Sequence, residues 1–175
     1  AWDHRPDEIA EVLRINVESP IRLTSALLGH LVARKGHVVF IGSVAARLAP
    51  PNEAVYSASK AAATAYAEGL RVDLGVAGVE LGVHVVQPGV LATDLFSHAD
   101  NDVSISDIEP LPPSAIVDAV LGVLRSGATE AFVPEWFGDL PPVKSGNLDG
   151  FLQGAVEYTQ GRLGDLGMAI PSGPA

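Results

Sequence analysis

Residues 38–60 of this 175-residue chain read VVFIGSVAARLAPPNEAVYSASK, and they decide the fold. The apolar run at 38–42 has the composition of a strand that is buried on both faces of a parallel sheet, and it ends at Ser43. Residues 53–77 are rich in alanine and contain no proline, so they predict a helix. A strand followed by a helix is the repeating unit of an α/β protein with a parallel sheet.

Two polar side chains near the start of this helix form a candidate proton-transfer site. Tyr56 and Lys60 are four residues apart, so a helix places them on one face about one turn apart. A nearby cation lowers the pKa of a phenol because it favours the charged form. We therefore expect Lys60 to make Tyr56 a usable acid or base near neutral pH.

A second predicted strand ends close to the same place. Residues 83–87, VHVVQ, form a mostly apolar run that stops at Pro88 and Gly89. Open α/β sheets bind their ligands at the carboxyl ends of the strands. We therefore expect Ser43, Tyr56 and the turn at Pro88 to converge on one crevice. Taken alone, a Tyr four residues before a Lys is common on surface helices, and Pro-Gly is common in ordinary turns.

Helix and strand alternate along the rest of the chain, which indicates a parallel sheet with helices on its faces. Helices are predicted at 7–33, where Pro20 introduces a kink, at 53–77 and at 113–125, with helical spacing again from Leu148 to Val156. Strands are predicted at 37–42, 82–87 and 131–133. Irregular structure is predicted around Pro50 and Pro51, at 90–113 and at 134–146. We expect one domain over residues 1–163 and a disordered tail over 164–175.

Composition excludes several classes of function. The formal net charge of −10 argues against a general nucleic-acid role, because such proteins cluster Lys and Arg against phosphate. The chain has no cysteine, which excludes disulfides and thiolate zinc sites, and its five histidines show no paired spacing for a metal. No apolar run is long enough to span a bilayer, and the start lacks a signal-peptide pattern, so a cytoplasmic location is expected.

Four motifs occur in an order that resembles one enzyme family. They are Asn16-Val17, Gly42-Ser43, the segment from Tyr56 to Lys60, and Pro88-Gly89-Val90-Leu91-Ala92-Thr93. Successive separations of 27, 13 and 4 residues join Asn16, Ser43, Tyr56 and Lys60. Together they resemble the classical short-chain dehydrogenase/reductases, from the fourth large helix of that family to its C-terminus. The implied fold is an incomplete, Rossmann-like, doubly wound parallel sheet.

The resemblance implies catalytic roles for four residues. Tyr56 would exchange a proton with the substrate oxygen while hydride moves between the substrate carbon and the nicotinamide of NAD or NADP. Ser43 would hydrogen-bond the same oxygen as a preorganised donor. Lys60 would lower the pKa of Tyr56, and Asn16 would hold a water that links Lys60 to solvent. Outside this context, Asn16 would be an ordinary capping or core residue.

The resemblance also implies a set of cofactor-binding residues. Lys60 would hold the ribose hydroxyls, with Asn16 and Tyr56 beside it. Thr93 and the backbone around Leu91 would contact the nicotinamide carboxamide. Pro88 and Gly89 would shape the loop so that the ring can approach, and the irregular stretch at 90–113 would cover the substrate.

One departure from the family pattern is large. A strand, a glycine-rich turn and a helix that binds pyrophosphate precede these motifs in complete members, and no such glycine pattern occurs before Asn16. The first half of the fold is therefore expected to be missing, and the 175-residue chain to be inactive by itself. The choice between NAD and NADP stays open because the residue that reads the ribose is absent.

Three functions remain in view. The favoured one is an oxidoreductase acting on a small alcohol or carbonyl compound, paired as a homodimer or homotetramer through the helices at 7–33 and 53–77. The second is an epimerase or dehydratase of the extended branch, acting on sugar nucleotides, which shares the Tyr-x-x-x-Lys motif. The third is a non-catalytic association module that keeps the helices. No nucleic-acid or membrane partner is expected.

Overall fold

A computed structural model describes residues 4–94 and 106–170 as alternating helices and strands. The helices are α1 (Pro6–Leu13), α2 (Ser19–Val32), α3 (Ala45–Leu48), α4 (Ala54–Val76), α5 (Ser114–Ser126), α6 (Leu140–Gly146) and α7 (Leu148–Asp165). A π-helical turn spans Arg14–Glu18, and a 3-10 helix spans Glu135–Asp139. The strands are β1 (His37–Ile41), β2 (Gly82–Pro88) and β3 (Glu130–Val133).

The three described strands form one parallel sheet in the order β1-β2-β3. Register pairs Phe40 with Val85, and Val86 with Ala131. Within the described residues β1 has β2 as its neighbour on one side, and Ile41 on this strand remains 47% exposed. Its other edge therefore has no strand partner among the described residues, which is the arrangement expected of half a doubly wound sheet.

Both faces of the sheet are covered, as the continuous apolar composition of β2 predicts. On one face Phe40, Val83 and Val85 pack with Ala67 and Leu74 of α4. On the other face the core is formed by Val86, Val123 of α5 and Val133. Alternate residues of β2 thus face opposite layers, and the carboxyl ends of β1 and β2 lie side by side.

The predicted helix at 7–33 is divided by the π-helical turn. The N–H of Ser19 bonds the carbonyl of Arg14, five residues earlier. Pro20 lies four residues after Asn16 and has no N–H, so the carbonyl of Asn16 cannot make the ordinary helical hydrogen bond. The interruption predicted at Pro20 is therefore present, and it places Asn16 inside the distorted turn.

Three sequence-based expectations are either corrected by the structure or fall partly outside the described residues. Residues 134–146 were expected to be irregular, but they form the 3-10 helix and α6, since prolines at the start of α6 occupy positions that need no N–H donor. The boundary expected at residue 164 falls inside the last turn of α7, and residues 171–175 lie outside the described residues. Part of the expected substrate-covering stretch, 95–105, also lies outside them.

Two further findings concern the described residues alone. None of their helices combines the length and the apolar composition needed to cross a membrane. Between residues 4 and 94 and between 106 and 170, no three His, Asp or Glu side chains gather in a way that could hold a metal ion.

Candidate active site

Ser43 lies two residues after the end of β1, at the carboxyl edge of the sheet, and is buried. Its hydroxyl oxygen accepts a hydrogen bond from the N–H of Ala45 at 3.1 Å. The N–H of Val44 donates to the carbonyl of Pro88 at 2.9 Å, which ties the end of β1 to the end of β2. With Ala45 donating to its oxygen, the Ser43 hydroxyl keeps its hydrogen available for an acceptor in the crevice.

Tyr56 lies in the first turn of α4, and its side chain is 37% exposed. Burial of the rest of the ring raises the pKa of the Tyr56 phenol, a hydrogen bond with the Ser43 side chain lowers it, and the charge of Glu53 raises it. The net direction is upward from the ordinary value. This direction is opposite to the one expected from Lys60: burial is the largest cause, and Lys60 is not among the groups that shift the pKa of Tyr56.

Lys60 lies one turn along α4 from Tyr56, as its spacing predicts. Its Nζ donates to the carbonyl of Ile41 at 3.0 Å and lies 5.7 Å from the centre of the Tyr56 ring. Burial lowers the pKa of the Lys60 ammonium. Lys60 also lines a cavity of about 280 Å³ between the π-helical turn and β1. The ammonium is therefore anchored at the sheet edge and retains further N–H donors.

Asn16 reaches the same helix through a residue that the sequence did not single out. Its Nδ2 donates to Ser59 Oγ at 3.0 Å, and Ser59 Oγ donates to the carbonyl of Tyr56 at 2.7 Å. Ser59 is fully buried. The observed link from Asn16 is therefore to the backbone of Tyr56, while a water between Asn16 and Lys60 stays a prediction. The hydroxyl of Ser57, also buried, has no hydrogen-bond partner among the described residues.

The loop after β2 brings the remaining predicted residues to this edge. Pro88 is buried, and the N–H of Gly89 donates to the carbonyl of Val133 at 2.8 Å. The N–H of Thr93 donates to the carbonyl of Leu91 at 2.9 Å, forming a tight turn. Thr93 itself is exposed. This loop thus presents backbone groups and one hydroxyl beyond the strand ends.

Gly89 is required for packing against the C-terminal segment. A Cβ at position 89 would lie 2.6 Å from Cε2 of Phe137 in the 3-10 helix, closer than real contacts allow. Phe137 is buried beneath the loop. The segment after β3, expected to be irregular, therefore supports the Pro88-Gly89 turn.

A polar network that the sequence analysis did not predict lies behind Ser43, with Gln87 and Thr64 buried and Arg47, Glu68 and Glu130 partly exposed. Gln87 Oε1 accepts the N–H of Ser43 at 2.7 Å, and Gln87 Nε2 donates to Glu130 Oε1 at 2.8 Å and to Thr64 Oγ1 at 3.2 Å. Arg47 Nε donates to the same Glu130 oxygen at 3.0 Å, and Arg47 also pairs with Glu68. The sequence feature that could have indicated this network is Gln87, an amide residue at the end of a mostly apolar strand and directly before Pro88-Gly89.

The chemistry of these groups fits a nicotinamide nucleoside. Around the crevice stand the ammonium of Lys60, the phenol of Tyr56, the hydroxyl of Thr93 and the backbone at Leu91. Ribose hydroxyls and a carboxamide require such neutral or cationic hydrogen-bonding groups. A phenol and a hydroxyl that meet at one point can together bind an oxygen and transfer a proton to it.

Comparison with known proteins shows the family. The model for short chain dehydrogenases matches residues 2–104, which is more than half of the chain. The protein therefore belongs to the short-chain dehydrogenase/reductase family, as its motifs predict.

Curated relatives are longer than this chain. An uncharacterized oxidoreductase of Staphylococcus saprophyticus is 29% identical over 129 residues, which are 73% of this chain and 52% of that protein. Dehydrogenase/reductase SDR family member 7B of Mus musculus is 39% identical over 90 residues, which are 51% of this chain and 27% of that protein. The chain spans about half the length, or less, of these relatives.

Solved structures confirm the predicted fold class. A short chain dehydrogenase of Burkholderia cenocepacia, in complex with NADP, is similar with a TM-score of 0.70 and 26% identity, over 84% of this chain and 58% of that one. A short-chain dehydrogenase of Sphingobium yanoikuyae, in complex with NADPH, has a TM-score of 0.69 and 21% identity, over 87% and 59%. The described sheet is thus part of a Rossmann fold.

Proposed function

We propose that the protein is an NAD(P)-dependent oxidoreductase that transfers hydride between nicotinamide and a small alcohol or carbonyl compound. The observation that carries the proposal is the position of Lys60 Nζ, which lies 5.7 Å from the centre of the Tyr56 ring and 3.0 Å from the carbonyl of Ile41, two residues before Ser43 at the carboxyl edge of the sheet. Family membership supports the same class of reaction.

In the reductive direction, the bound nicotinamide supplies hydride to the carbonyl carbon of the substrate. Tyr56 donates its phenolic proton to the carbonyl oxygen, which becomes the alcohol. Ser43 donates a hydrogen bond to that oxygen and stabilises the negative charge that develops on it. The reverse direction begins with Tyr56 accepting the alcohol proton.

Two further residues, Lys60 and Asn16, act on the charge and the position of Tyr56. Lys60 Nζ lies 5.7 Å from the centre of the Tyr56 ring. In the proposed mechanism its charge stabilises the phenolate that remains after proton donation, although in the structure described burial sets the net direction of the Tyr56 pKa, which is upward. Asn16 holds the backbone of Tyr56 through Ser59, with hydrogen bonds of 3.0 and 2.7 Å. A water that relays protons from Asn16 to Lys60 is part of the proposal.

NAD or NADP is the proposed cofactor, held by Lys60 at the ribose and by Pro88, Gly89, Leu91 and Thr93 around the carboxamide. The similar enzyme of Burkholderia cenocepacia binds NADP. We leave the choice between the two dinucleotides to measurement, because none of the described residues near the crevice distinguishes a 2′-phosphate from a 2′-hydroxyl.

We further propose that the 175-residue chain by itself binds neither dinucleotide. The matched stretch spans 52% and 27% of the length of two curated relatives, and the outer edge of β1 has no strand partner within the described sheet. We expect no saturable NADH or NADPH fluorescence change up to about 1 mM, the weak end of usual affinities. Tight binding by this chain would show instead that the crevice is completed in another way, such as by a second copy.

Association as a homodimer or homotetramer is proposed through the outer faces of α2 and α4. On α4 the small residues Ala62, Ala65 and Gly69 are exposed, so another helix can approach closely. Light scattering at micromolar concentration tests this on a complete family chain that carries this segment, called the full-length protein below. An Ala65→Arg variant should shift the protein toward the monomer, and a monomeric wild type would contradict the proposal.

The proposed activity is tested by following nicotinamide absorbance in the full-length protein with a panel of alcohols, aldehydes and ketones. We expect turnover with at least one substrate class and its loss in Tyr56→Phe. Tyr66→Phe is the matched control, because Tyr66 lies on the same helix and packs edge-on against Phe40 in the core. Association without binding of either dinucleotide and without turnover would favour the non-catalytic module, which keeps the helices after losing the cofactor half.

A further inference from the structure

We infer that Gln87 is a positioning residue, which holds the backbone of Ser43 and thereby aims the serine hydroxyl at the substrate oxygen. The inference rests on the proposed function. Gln87 is fully buried at the end of β2, and its side chain crosses to the neighbouring strand end. Its Oε1 accepts the N–H of Ser43 at 2.7 Å, a short distance for an N–H···O bond.

This contact is distinct from the ordinary sheet ladder. The N–H groups on either side of Ser43 bond to backbone, from Gly42 to Val86 O at 2.8 Å and from Val44 to Pro88 O at 2.9 Å. The N–H of Ser43 bonds to a side chain instead. Substituting Gln87 therefore removes one hydrogen bond at Ser43 and leaves the flanking bonds intact.

The absence of a side chain at Gly42 leaves room for the side-chain amide of Gln87. A Cβ at position 42 would lie 2.1 Å from Gln87 Oε1, a distance that real structures do not contain. Glycine at position 42 thus lets the amide reach past β1 to Ser43. Any other residue there would push Gln87 away from the serine backbone.

Glu130 determines which end of the amide faces Ser43. Gln87 Nε2 donates to Glu130 Oε1 at 2.8 Å, and a carboxylate can only accept. The amide oxygen must then point to the Ser43 N–H. Arg47 binds the same carboxylate oxygen at 3.0 Å and belongs to α3, which begins just after Ser43. The orientation of Gln87 is therefore set by a charged pair that spans β3 and α3.

The decisive experiment measures the N–H of Ser43 directly, by amide hydrogen exchange resolved by NMR in wild type and Gln87→Met. Met has similar volume and cannot accept this hydrogen bond. We expect exchange at Ser43 to become about 100-fold faster in Gln87→Met, while Gly42 and Val44 stay within a few-fold of wild type. Unchanged exchange at Ser43 would overturn the inference.

A second measurement tests the consequence for catalysis in the full-length protein. Gln87→Met should lower kcat by about 10- to 100-fold with little change in KM for the cofactor, because only the donor to the reacting oxygen is misplaced. Val86→Ala is the control, since this neighbouring buried residue faces the opposite layer and touches neither Ser43 nor the network. Equal kcat losses in both variants would mean that Gln87 acts only through stability, and would overturn the inference.

A charge exchange supplies the rescue. Gln87→Glu alone places two carboxylates against each other and should lower kcat as strongly as Gln87→Met. Adding Glu130→Gln removes this repulsion and supplies an amide donor toward position 87. Because Gln87 Nε2 and Arg47 Nε bind the same Glu130 oxygen, one amide atom at position 130 cannot serve both partners. We therefore expect partial recovery, with kcat of the double variant about threefold or more above that of Gln87→Glu. No recovery would contradict the proposed orientation.

The exchange measurement and the kinetic measurement together distinguish a failure of this inference from a failure of the proposed function. If the wild-type protein turns over no substrate, the proposed function fails, and the exchange at Ser43 still decides whether Gln87 holds that backbone. If the wild type is active and Gln87→Met speeds exchange without lowering kcat, the proposed function stands and the positioning role is wrong.

Discussion

Strand β2 carries a buried polar side chain at each end, and the two ends are built alike. Gln87 lies at the carboxyl end and His84 toward the amino end, both almost fully buried. Each end also has a glycine that leaves room for polar side chains: a Cβ at Gly42 would lie 2.1 Å from Gln87 Oε1, and one at Gly82 would lie 2.1 Å from His37 Nδ1 and 2.7 Å from His84 Nε2. The partners of the two side chains differ.

At the amino end the partners are structural. His84 Nδ1 lies 2.6 Å from the carbonyl of Ala128, which can only accept, so Nδ1 carries the hydrogen. The other ring nitrogen lies 2.9 Å from His37 Nδ1, and the two rings stack. These contacts join β1, β2 and the segment before β3 without reaching any group of the candidate site.

At the carboxyl end, a buried polar side chain beside a glycine holds Ser43, the residue proposed to bind the substrate oxygen. Gln87 binds the backbone of Ser43, and Glu130 with Arg47 fixes its orientation. The difference teaches that a buried polar group beside a glycine is not itself a sign of function. What matters is whether its partner lies at the ligand-binding edge of the sheet.

The largest effect should come from the carboxyl end. Tyr56→Phe in the full-length protein removes the proton donor and should lower kcat by about ten thousandfold, the upper range of positioned acid-base catalysis. Cofactor affinity should stay near the wild-type value. Steady-state kinetics and a fluorescence titration measure the two quantities. A variant that keeps most of its activity would show that Tyr56 is not the acid.

Lys60→Ala should reduce the rate by about 100-fold and also weaken cofactor binding, because one ammonium serves both the phenol and the ribose. Lys35→Ala is the control, since Lys35 pairs with Glu80 on the surface near the amino end of the sheet. An unchanged cofactor dissociation constant in Lys60→Ala would remove the proposed ribose contact and leave only the role toward Tyr56.

Replacing each of the two glycines with alanine compares the two ends of β2 directly. Gly42→Ala and Gly82→Ala should each lower the free energy of unfolding by about 1–3 kcal/mol, since both force a Cβ into a filled space. Urea unfolding measures this loss. Kinetics should then separate them, because only Gly42→Ala displaces Gln87 and lowers kcat in the folded enzyme. Equal kcat values in the two variants would argue that the two ends are equivalent.

The smallest effect is a change in titration. Burial raises the pKa of Tyr56, so its phenol should ionise above the ordinary value of about 10 in this chain. The folded state then retains the proton longer than the unfolded state, and the stability linked to this group is complete below pH 10 and is lost as pH rises through the folded pKa. The ultraviolet difference titration between wild type and Tyr56→Phe measures it. Ionisation below pH 10 would contradict this direction.

The main elements and the reactive residues were predictable, because local patterns encode them. An apolar run ending in a serine predicted β1 and the position of Ser43, and a four-residue spacing predicted that Tyr56 and Lys60 share one face of α4. The segment at 134–146 was not predicted, since its prolines indicate a break in a helix and equally suit the first turn of one. Local sequence does not distinguish the two.

By itself, the sequence determined the α/β class and the residue types available for proton transfer, because periodicity and spacing act over a few neighbouring residues. Its motifs also resemble one family, to which the chain belongs. Only the tertiary structure decided which side chains hold these residues in place. Gln87 meets Ser43 across 44 positions of sequence, and Arg47 meets Glu130 across 83. The direction of the Tyr56 pKa shift also depends on burial and not on its spacing from Lys60. Such contacts arise when separate strands and helices pack together, so no local pattern carries them.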